Sequence, residues 1–226
     1  MENHSANLSE ETHWEKAAQT RMGKYLTCLE TNFILDSVNP SKTRMVIDVG
    51  AEAGRFSLMS TNSKATVVSI DLDSYSLRRL KQKNKDVTVI QADARKIPLK
   101  NATFDAVFMI EVLDYIPELA ETLGECSRIL HPNSPLILSF GNQSSLKAKL
   151  RELRGKSYMH SYGKVMKCLL KTGFTVKKKM GYSWLPFGRM ANSRLVPFLA
   201  GLEWLLRLRQ IPSLSPWVIV YATKSN

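Results

Sequence analysis

The sequence predicts an α/β fold built around a mostly parallel β-sheet. Segments with strand-like and helix-like hydrophobic periodicity alternate along the chain, which is typical of βαβ units. Two strand-like segments, residues 106–110 and 135–140, are almost entirely apolar, as expected of strands buried on both faces of a parallel sheet. The 226 residues, 44% of them hydrophobic, are enough for a single globular domain with a full core.

The periodicity predicts seven strands and a series of intervening helices. The strands are expected at residues 45–49, 66–70, 87–90, 106–110, 135–140, 174–179 and 217–222. The helices are expected at 54–62, 74–84, 117–130 and 161–172, after a leading helix at 13–38 within an N-terminal helical segment, 1–44.

The interval before the last strand is longer than the other connections and is predicted to be a helical insertion at 181–216. Over 194–210, Glu203, Arg207 and Gln210 form one narrow polar stripe at helical spacing, and nearly all other residues there are apolar. So narrow a stripe indicates a buried helix, a surface for a protein partner or a helix at a lipid interface. The insertion is therefore either a cap over the substrate site or a membrane or partner surface.

Positive charge is concentrated in the last part of the chain. The net charge is +12, yet residues 1–140 contain 16 basic against 18 acidic residues. Residues 141–226 contain 16 basic residues and only two acids, Glu152 and Glu203. This asymmetry favours an anionic partner, such as nucleic acid, a membrane surface or an acidic substrate; the alternative is a solvated face that promotes solubility.

Cysteine usage and the N-terminal composition favour a cytoplasmic protein. Cys28, Cys126 and Cys168 are widely spaced, without a CxxC pair or a histidine at metal-ligand spacing, so we expect a reducing compartment and no metal site. Residues 1–16 are polar and acidic, unlike a secretory signal. No uninterrupted apolar run approaches the roughly 20 residues that span a bilayer, which leaves peripheral membrane contact as the expected mode.

The first candidate strand leads into a glycine-containing turn that suits a nucleotide-bearing ligand. A parallel strand followed by such a turn delivers the ligand to the N-terminus of the next helix. Gly50 and Gly54 do not fit the dinucleotide pattern G-x-G-x-x-G, which would need glycines at positions 52 and 55. They fit a G-x-G-x-G pattern whose central glycine is replaced by Glu52.

An acidic residue follows each of the next three strands. Asp71 ends the second strand, where a carboxylate can accept both hydroxyls of a ribose, and Asp73 competes for this role. Asp93 follows the third strand and suits an exocyclic adenine amine, with Ala94 leaving room for the ring. Glu111 follows the fourth strand. Taken singly, each acid is also typical of a helix N-cap, but together they converge on the crevice at the carboxyl ends of the strands.

This combination of motifs resembles the class I, Rossmann-like S-adenosylmethionine-dependent methyltransferases of the small-molecule type, related to ubiquinone and menaquinone methyltransferases. The matching segments are 46–56, 69–73, 91–98, 104–107, 111–116, 125–132 and 169–176. The resemblance implies one methyltransferase domain, 1–226, with a cofactor-binding core at 45–140 and S-adenosylmethionine as cofactor. It also implies a seven-stranded sheet with helices on both faces, whose last strand is antiparallel and is reached through the insertion.

The resemblance further implies which residues bind the cofactor. Residues 48, 50 and 54 would shape the pocket for its methionine end, Asp71 would hold the ribose, Asp93 the adenine, and residues 110–112 would form the wall beside the sulfonium. The full expected set is Asp48, Gly50, Glu52, Gly54, Phe56, Asp71, Leu72, Asp93, Ala94, Ile110 and Glu111. Glu52 departs from the family's glycine at the pocket itself: either its carboxylate pairs with the cationic α-amino group of the cofactor, or its side chain obstructs cofactor binding.

Methyl transfer from a sulfonium needs in-line alignment of the acceptor and requires no metal. Candidate catalytic residues are Glu111, Tyr115 and His160, with Tyr158 and Tyr162 as further bases, and no motif chooses among them.

Neither the (D/N)-P-P-(Y/F) motif of nucleobase amino-methyltransferases nor a Pro-Cys nucleophile follows the fourth strand, which makes a nucleic-acid acceptor less favoured. The apolar helix of the insertion is flanked by Arg189, Arg194, Arg207 and Arg209. This pattern predicts a small organic or lipid- or quinone-like acceptor, met in the cytoplasm or at an anionic membrane surface. An RNA methyltransferase that uses the basic C-terminal region and a non-catalytic S-adenosylmethionine-binding module are the alternatives.

Overall fold

A computed structural model of the protein describes residues 10–38, 43–61, 65–152 and 160–226. Its centre is a seven-stranded sheet with the order β3-β2-β1-β4-β5-β7-β6. The strands are β1 (Met45–Val49), β2 (Thr66–Asp71), β3 (Thr88–Gln91), β4 (Ala106–Met109), β5 (Pro135–Gly141), β6 (Phe174–Tyr182) and β7 (Trp217–Lys224). Strands β1 to β5 pair in parallel, and β7 lies antiparallel between β5 and β6. The predicted fold class is confirmed.

Eight α-helices surround this sheet in the described part of the chain. They are α1 (His13–Gln19), α2 (Arg21–Ser37), α3 (Arg55–Thr61), α4 (Ser74–Lys83), α5 (Leu119–Ile129), α6 (Leu146–Glu152), α7 (Tyr162–Lys171) and α8 (Val196–Leu205). Short 3₁₀ turns cover Leu113–Tyr115 and Leu208–Gln210. None of the described helices is both long enough and apolar enough to cross a bilayer.

Alternation along the central strands places helices on both faces of the sheet. Val107 and Met109 of β4 point into a core shared with α5 and α7. Ala106 and Phe108 point into a second core, shared with α2 and α8. Successive side chains of a strand face opposite sides, so a strand covered on both faces must be apolar throughout. This explains the continuous apolar run in the sequence.

The prediction of one leading helix at 13–38 was wrong, because the chain breaks at Thr20. Thr20 has extended backbone angles (φ −70°, ψ 161°) and caps α2, its hydroxyl accepting a hydrogen bond from the Gly23 amide at 3.0 Å. The two helices approach so closely that a Cβ at Gly23 would overlap the Ala17 carbonyl. Helix periodicity alone does not reveal such a contact. Helix α6, which has seven residues, also escaped prediction.

Helix α8 within the insertion turns only Glu203 of the polar stripe inward, whereas Arg207 and Gln210 follow the helix and are exposed. Glu203 is only 2% exposed, and its Oε1 lies 3.2 Å from Nε of Arg209. Nη2 of Arg209 also donates to the hydroxyl of Tyr25 on α2, at 3.2 Å. Val196 and Leu199 complete the inward face. The insertion is thus anchored to α2 by the hydrogen bond between Arg209 and Tyr25 as well as by apolar contacts, and the Glu203–Arg209 ion pair lies within the insertion.

Candidate active site

A cavity of about 930 Å³ opens where the carboxyl ends of β1 to β4 meet. The strand order reverses between β1 and β4, and open α/β sheets bind their ligands at such a point. The expected cofactor residues that line the cavity are Gly50, Glu52, Phe56, Asp71, Leu72, Asp93, Ala94, Ile110 and Glu111. The structure therefore brings together nine of the predicted residues, from loops that are distant in sequence.

The loop after β1 owes its shape to three residues with positive φ. Gly50, Glu52 and Gly54 have φ of 70°, 50° and 89°. A Cβ at position 50 would overlap the side chain of Val112, so glycine is required there by space as well as by backbone conformation. Glu52 adopts a left-handed conformation that costs an L-residue roughly 1–2 kcal/mol. This strain explains why a glycine was expected at position 52.

The Glu52 side chain folds back onto its own loop. Its Oε2 accepts a hydrogen bond from the Ala53 amide at 2.5 Å. Burial raises the pKa of Glu52, and hydrogen bonds from the Thr12 hydroxyl and the Ala53 amide oppose that rise. The carboxyl group lines the cavity, and within the part of the chain that the structure describes its hydrogen-bond donors are neutral, although the charge of Lys83 also lowers its pKa. It is therefore positioned to meet a cationic group of a ligand.

Asp71 and Asp73 have different roles. Oδ2 of Asp71 accepts from the Glu52 amide at 2.8 Å, and its Oδ1 accepts from the Asp73 amide at 2.9 Å. Asp73 caps α4, accepting from the amides of Tyr75 and Ser76 at 3.0 and 3.2 Å. Both acids line the cavity. Asp73 is committed to the cap of α4, whereas Asp71 ties the glycine loop to the end of β2.

Asp93 forms an ion pair that the sequence analysis did not anticipate. Both oxygens of Asp93 accept hydrogen bonds from Arg95, at 2.6 Å from Nη2 and 3.0 Å from Nε. These hydrogen bonds lower the pKa of Asp93. Arg95 also contacts Glu118 at 2.9 Å. Arg95 therefore holds Asp93 as a carboxylate in a fixed position at the cavity.

Two expected cofactor residues, Asp48 and Gly54, lie outside the cavity lining. Asp48 is buried beneath the loop and accepts a hydrogen bond from the hydroxyl of Ser57 at 2.5 Å. Burial raises the pKa of Asp48 to about 6. Gly54 packs against α4, where a Cβ would overlap the side chain of Leu80. Both residues shape the loop from behind and do not face a ligand.

A buried cluster of four charged side chains and one tyrosine adjoins the cavity at the end of β4. We call it the acid–arginine cluster: Glu30, Arg55, Glu111, Tyr182 and Arg189. Arg55 bridges the two acids, lying 2.9 Å from Glu111 and 3.2 Å from Glu30. Arg189 contacts the same two acids, 3.2 Å from Glu30. The hydroxyl of Tyr182 donates to Glu30 at 2.8 Å.

The two carboxylates of the cluster are matched in charge by its two guanidinium groups. Burial raises the pKa of Glu30, the charge of Glu111 acts in the same direction, and Arg189 and Arg55 oppose both. Two guanidinium groups facing two carboxylates compensate charges that would be costly to bury alone. Glu30 and Arg189 are 159 positions apart, and no local motif links them, so sequence reasoning missed the pair.

The candidate catalytic residues are not all brought to the cavity. Glu111 and Tyr115 line it, whereas His160 and Tyr162 do not, and Tyr158 lies outside the described residues. Burial, together with the charges of Glu111 and Asp114, raises the pKa of Tyr115. His160 is buried with Nε2 2.8 Å from the Ile116 carbonyl oxygen. His160 thus supports the loop after β4 from behind.

Helix α1 crosses the open side of the cavity, which the sequence analysis did not foresee. Its residues Thr12, Trp14 and Glu15 are part of the lining. Although burial opposes it, hydrogen bonds from Arg79 and Lys83 at 2.7 and 2.5 Å lower the pKa of Glu15 to about 2. Thr12 and Glu15 form a capping box, and the helix begins at residue 13, where the predicted leading helix also begins.

The residues of the cavity fit S-adenosylmethionine. Asp71 presents carboxylate oxygens for a diol, and Ala94 and Ile110 form apolar walls. Glycine at position 50 lets the loop pack against Val112, whose side chain a Cβ at that position would overlap. A volume of about 930 Å³ lies within the range of roughly 300–1,000 Å³ that small-molecule sites occupy.

Comparison with known proteins supports the same cofactor. Residues 47–138 match the family model described as "Methyltransferase domain". The chain is 28% identical over 181 residues to a ubiquinone biosynthesis O-methyltransferase of Paracidovorax citrulli, covering 72% of this chain and 74% of that protein. It is 25% identical to 24-methylenesterol C-methyltransferase 3 of Arabidopsis thaliana, covering 54% of this chain and 36% of that protein.

Solved structures share the fold. The N-methyltransferase NodS from Bradyrhizobium japonicum WM9, crystallised with S-adenosyl-L-homocysteine, superposes with a TM-score of 0.69 over 97% of this chain and 95% of its own, at 12% identity. A putative sarcosine dimethylglycine methyltransferase from Galdieria sulphuraria superposes with a TM-score of 0.67, covering 90% of this chain and 86% of its own, at 13% sequence identity. The sheet order, the cavity and these matches together identify the chain as a class I S-adenosylmethionine-dependent methyltransferase that resembles the ubiquinone O-methyltransferases.

Proposed function

We propose that the protein methylates a small organic acceptor of lipid- or quinone-like character. The observation that carries this proposal is the composition of the cavity beside Glu111. Trp14, Phe56 and Tyr115 supply aromatic surface there. The guanidinium groups beside these rings are already paired with Glu111: Arg55 stacks over the Phe56 ring at 4.5 Å, and Arg189 lies over the Trp14 ring at 5.9 Å. A flat, mostly apolar ring system with a polar substituent suits such a wall.

S-Adenosylmethionine supplies a methyl group that its sulfonium has already activated. The protein's own residues must therefore orient the acceptor and exclude water. We assign orientation to Glu111, since Arg55 and Arg189 engage its carboxylate and fix it at the cavity edge. Tyr115, whose raised pKa keeps its hydroxyl protonated at neutral pH, is assigned to donate a hydrogen bond to an acceptor oxygen.

The names of two relatives support this acceptor class, because one concerns ubiquinone biosynthesis and the other a methylenesterol. Such acceptors are lipid-soluble, so we further propose that the protein acts in the cytoplasm at the surface of a membrane. RNA is the second candidate acceptor, favoured by the excess of basic residues after position 140.

Calorimetry and a turnover assay test the proposal. We expect S-adenosylmethionine and S-adenosylhomocysteine to bind at micromolar concentrations and methyl groups to pass to hydroxylated, short-chain quinols. Tyr115→Phe should lower kcat by about tenfold or more with little effect on cofactor affinity, whereas Tyr75→Phe, on the adenosine side of the cavity, should leave kcat unchanged. Methylation confined to RNA, or cofactor binding without turnover on any quinol, phenol or sterol, would contradict the assignment of the acceptor.

A further inference from the structure

We propose that the outward face of α8 and the turn after it form a docking surface for membranes that contain anionic phospholipid. We call this surface the α8 face; its residues are Leu195, Phe198, Leu202, Trp204, Leu205, Leu206 and Arg207. Docking there deepens the proposed function, since it names the surface through which a lipid-like acceptor would be approached.

The α8 face is apolar although it is exposed. Phe198, Trp204 and Leu205 are 67%, 70% and 67% exposed, while Glu203 of the same helix is buried. A helix at a protein surface ordinarily turns its apolar residues inward and its charges outward. In α8 the ion pair between Glu203 and Arg209 instead keeps the acid buried and leaves the apolar side chains at the surface. Contiguous exposed apolar surface of this kind marks a binding site for a partner or a membrane.

The insertion that carries the α8 face has a net positive charge. Residues 181–216, all of which the structure describes, contain Glu203 as their only acid. Because Glu203 is buried against Arg209, the exposed charges of the insertion are those of Arg194 and Arg207. Leucine, phenylalanine and tryptophan flanked by arginine are typical of helices that lie at the interface of anionic membranes.

A concavity at the end of α8 offers a place for a lipid headgroup. It has a volume of about 400 Å³ and lies between Trp204, Leu205, Arg207, Arg209 and Gln210. Guanidinium groups bind phosphate through paired hydrogen bonds, and the adjacent indole and leucine side chains suit the upper part of an acyl chain. Adjacent side chains would therefore bind both parts of one phospholipid: the arginines its phosphate, and Trp204 and Leu205 the upper part of its acyl chain.

A second copy of the chain suits this face less well. A two-fold dimer places the same patch on both sides of the contact. It would bring the Arg194 and Arg207 side chains of the two copies together, and the insertion has no exposed acid to neutralise them. Anionic lipid supplies the missing negative charge.

Vesicle co-sedimentation of the full chain tests the assignment. We expect the protein to bind vesicles of equal parts phosphatidylglycerol and phosphatidylcholine, and binding to pure phosphatidylcholine vesicles to be at least tenfold weaker. Added salt should reduce binding to the anionic vesicles. Equal binding to both kinds of vesicle, or none to either, would overturn the proposal.

Variants locate the surface. Trp204→Ala combined with Leu205→Ala should weaken anionic-vesicle binding about tenfold, whereas Leu170→Ala, on α7 and 74% exposed, should have no effect. Arg207→Gln should weaken binding about fivefold, and its exposed control Lys85→Gln should not. Equal losses in the variants and their controls would contradict the assignment to α8.

Two further measurements separate this proposal from its alternatives. Cofactor affinity, measured without vesicles, should be unchanged in every α8 variant. A lost cofactor affinity would show damage to the fold and would contradict the assignment of these residues to docking. The mass in solution should be that of one chain; a dimer that the alanine variants dissociate would assign the face to a second copy instead.

Discussion

Replacing Asp71 by alanine should weaken the binding of S-adenosylmethionine about 100-fold. The Asp71 carboxylate accepts hydrogen bonds from the backbone amides of Glu52 and Asp73, one at each oxygen. Each oxygen keeps a further lone pair that can accept a hydrogen bond from a ligand in the cavity. A hydrogen bond to a charged group contributes roughly 1.5–3 kcal/mol. Two such bonds to the ribose hydroxyls amount to about 3 kcal/mol, which is about two orders of magnitude in Kd.

Calorimetric titration with S-adenosylhomocysteine measures the affinity, and thermal unfolding shows whether each variant is folded. Asp73→Ala is the matched control, because it removes the N-cap of α4 and should cost about 1 kcal/mol of stability with less than a threefold change in affinity. Asp71→Asn should lie between the wild type and Asp71→Ala. Unchanged affinity in Asp71→Ala, or a larger loss in Asp73→Ala, would refute the assignment of the ribose to Asp71.

Three more substitutions test other parts of the site. Glu15→Gln should destabilise the protein at neutral pH. The pKa of Glu15 is lowered from 4.5 to about 2 in the folded protein, so its ionised form stabilises the fold. The wild type should therefore exceed the variant in free energy of unfolding by a constant amount above pH 4.5. This difference should shrink as the pH falls and disappear near pH 2. Glu52→Gly should raise the free energy of unfolding by up to about 1 kcal/mol by removing the left-handed strain, while weakening cofactor binding measured by calorimetry; tighter binding would mean that the glutamate obstructs the site. Arg189→Met should cost about 3 kcal/mol in chemical denaturation, and adding Glu30→Gln should recover part of it. The exposed control Arg194→Met should change stability by less than about 0.5 kcal/mol.

Local sequence pattern was enough to find the sheet and much of the cavity. The acids at the ends of β2, β3 and β4 follow directly from strand periodicity, because carboxyl ends of parallel strands converge. The family resemblance implied that Asp48 and Gly54 shape the cofactor pocket, and in the structure both lie beneath the loop and outside the cavity lining. Position along a loop does not tell whether a residue faces the ligand or the core beneath it.

The remaining features depend on contacts between distant segments. The break at Thr20 follows from the close approach of α1 and α2 at Gly23. The inward orientation of Glu203 follows from its contacts with Arg209 and Tyr25, and the polar stripe read alone fits either orientation. These contacts join residues that are far apart in sequence and form only in the folded protein. Hydrophobic periodicity, which reports on local structure, therefore does not predict them.

The acid–arginine cluster makes the insertion inseparable from the catalytic domain. Connections between strands are ordinarily the parts of a fold that tolerate deletion and exchange. Here Arg189 reaches out of the insertion to Glu30 and Glu111, so a shortened connection would leave two buried carboxylates facing Arg55 alone. A chimaera that borrows a related insertion must bring a cation to the same point. Substitutions or exchanges in the insertion that alter the α8 face must therefore keep a cation at position 189 to balance Glu30 and Glu111 beside the cavity.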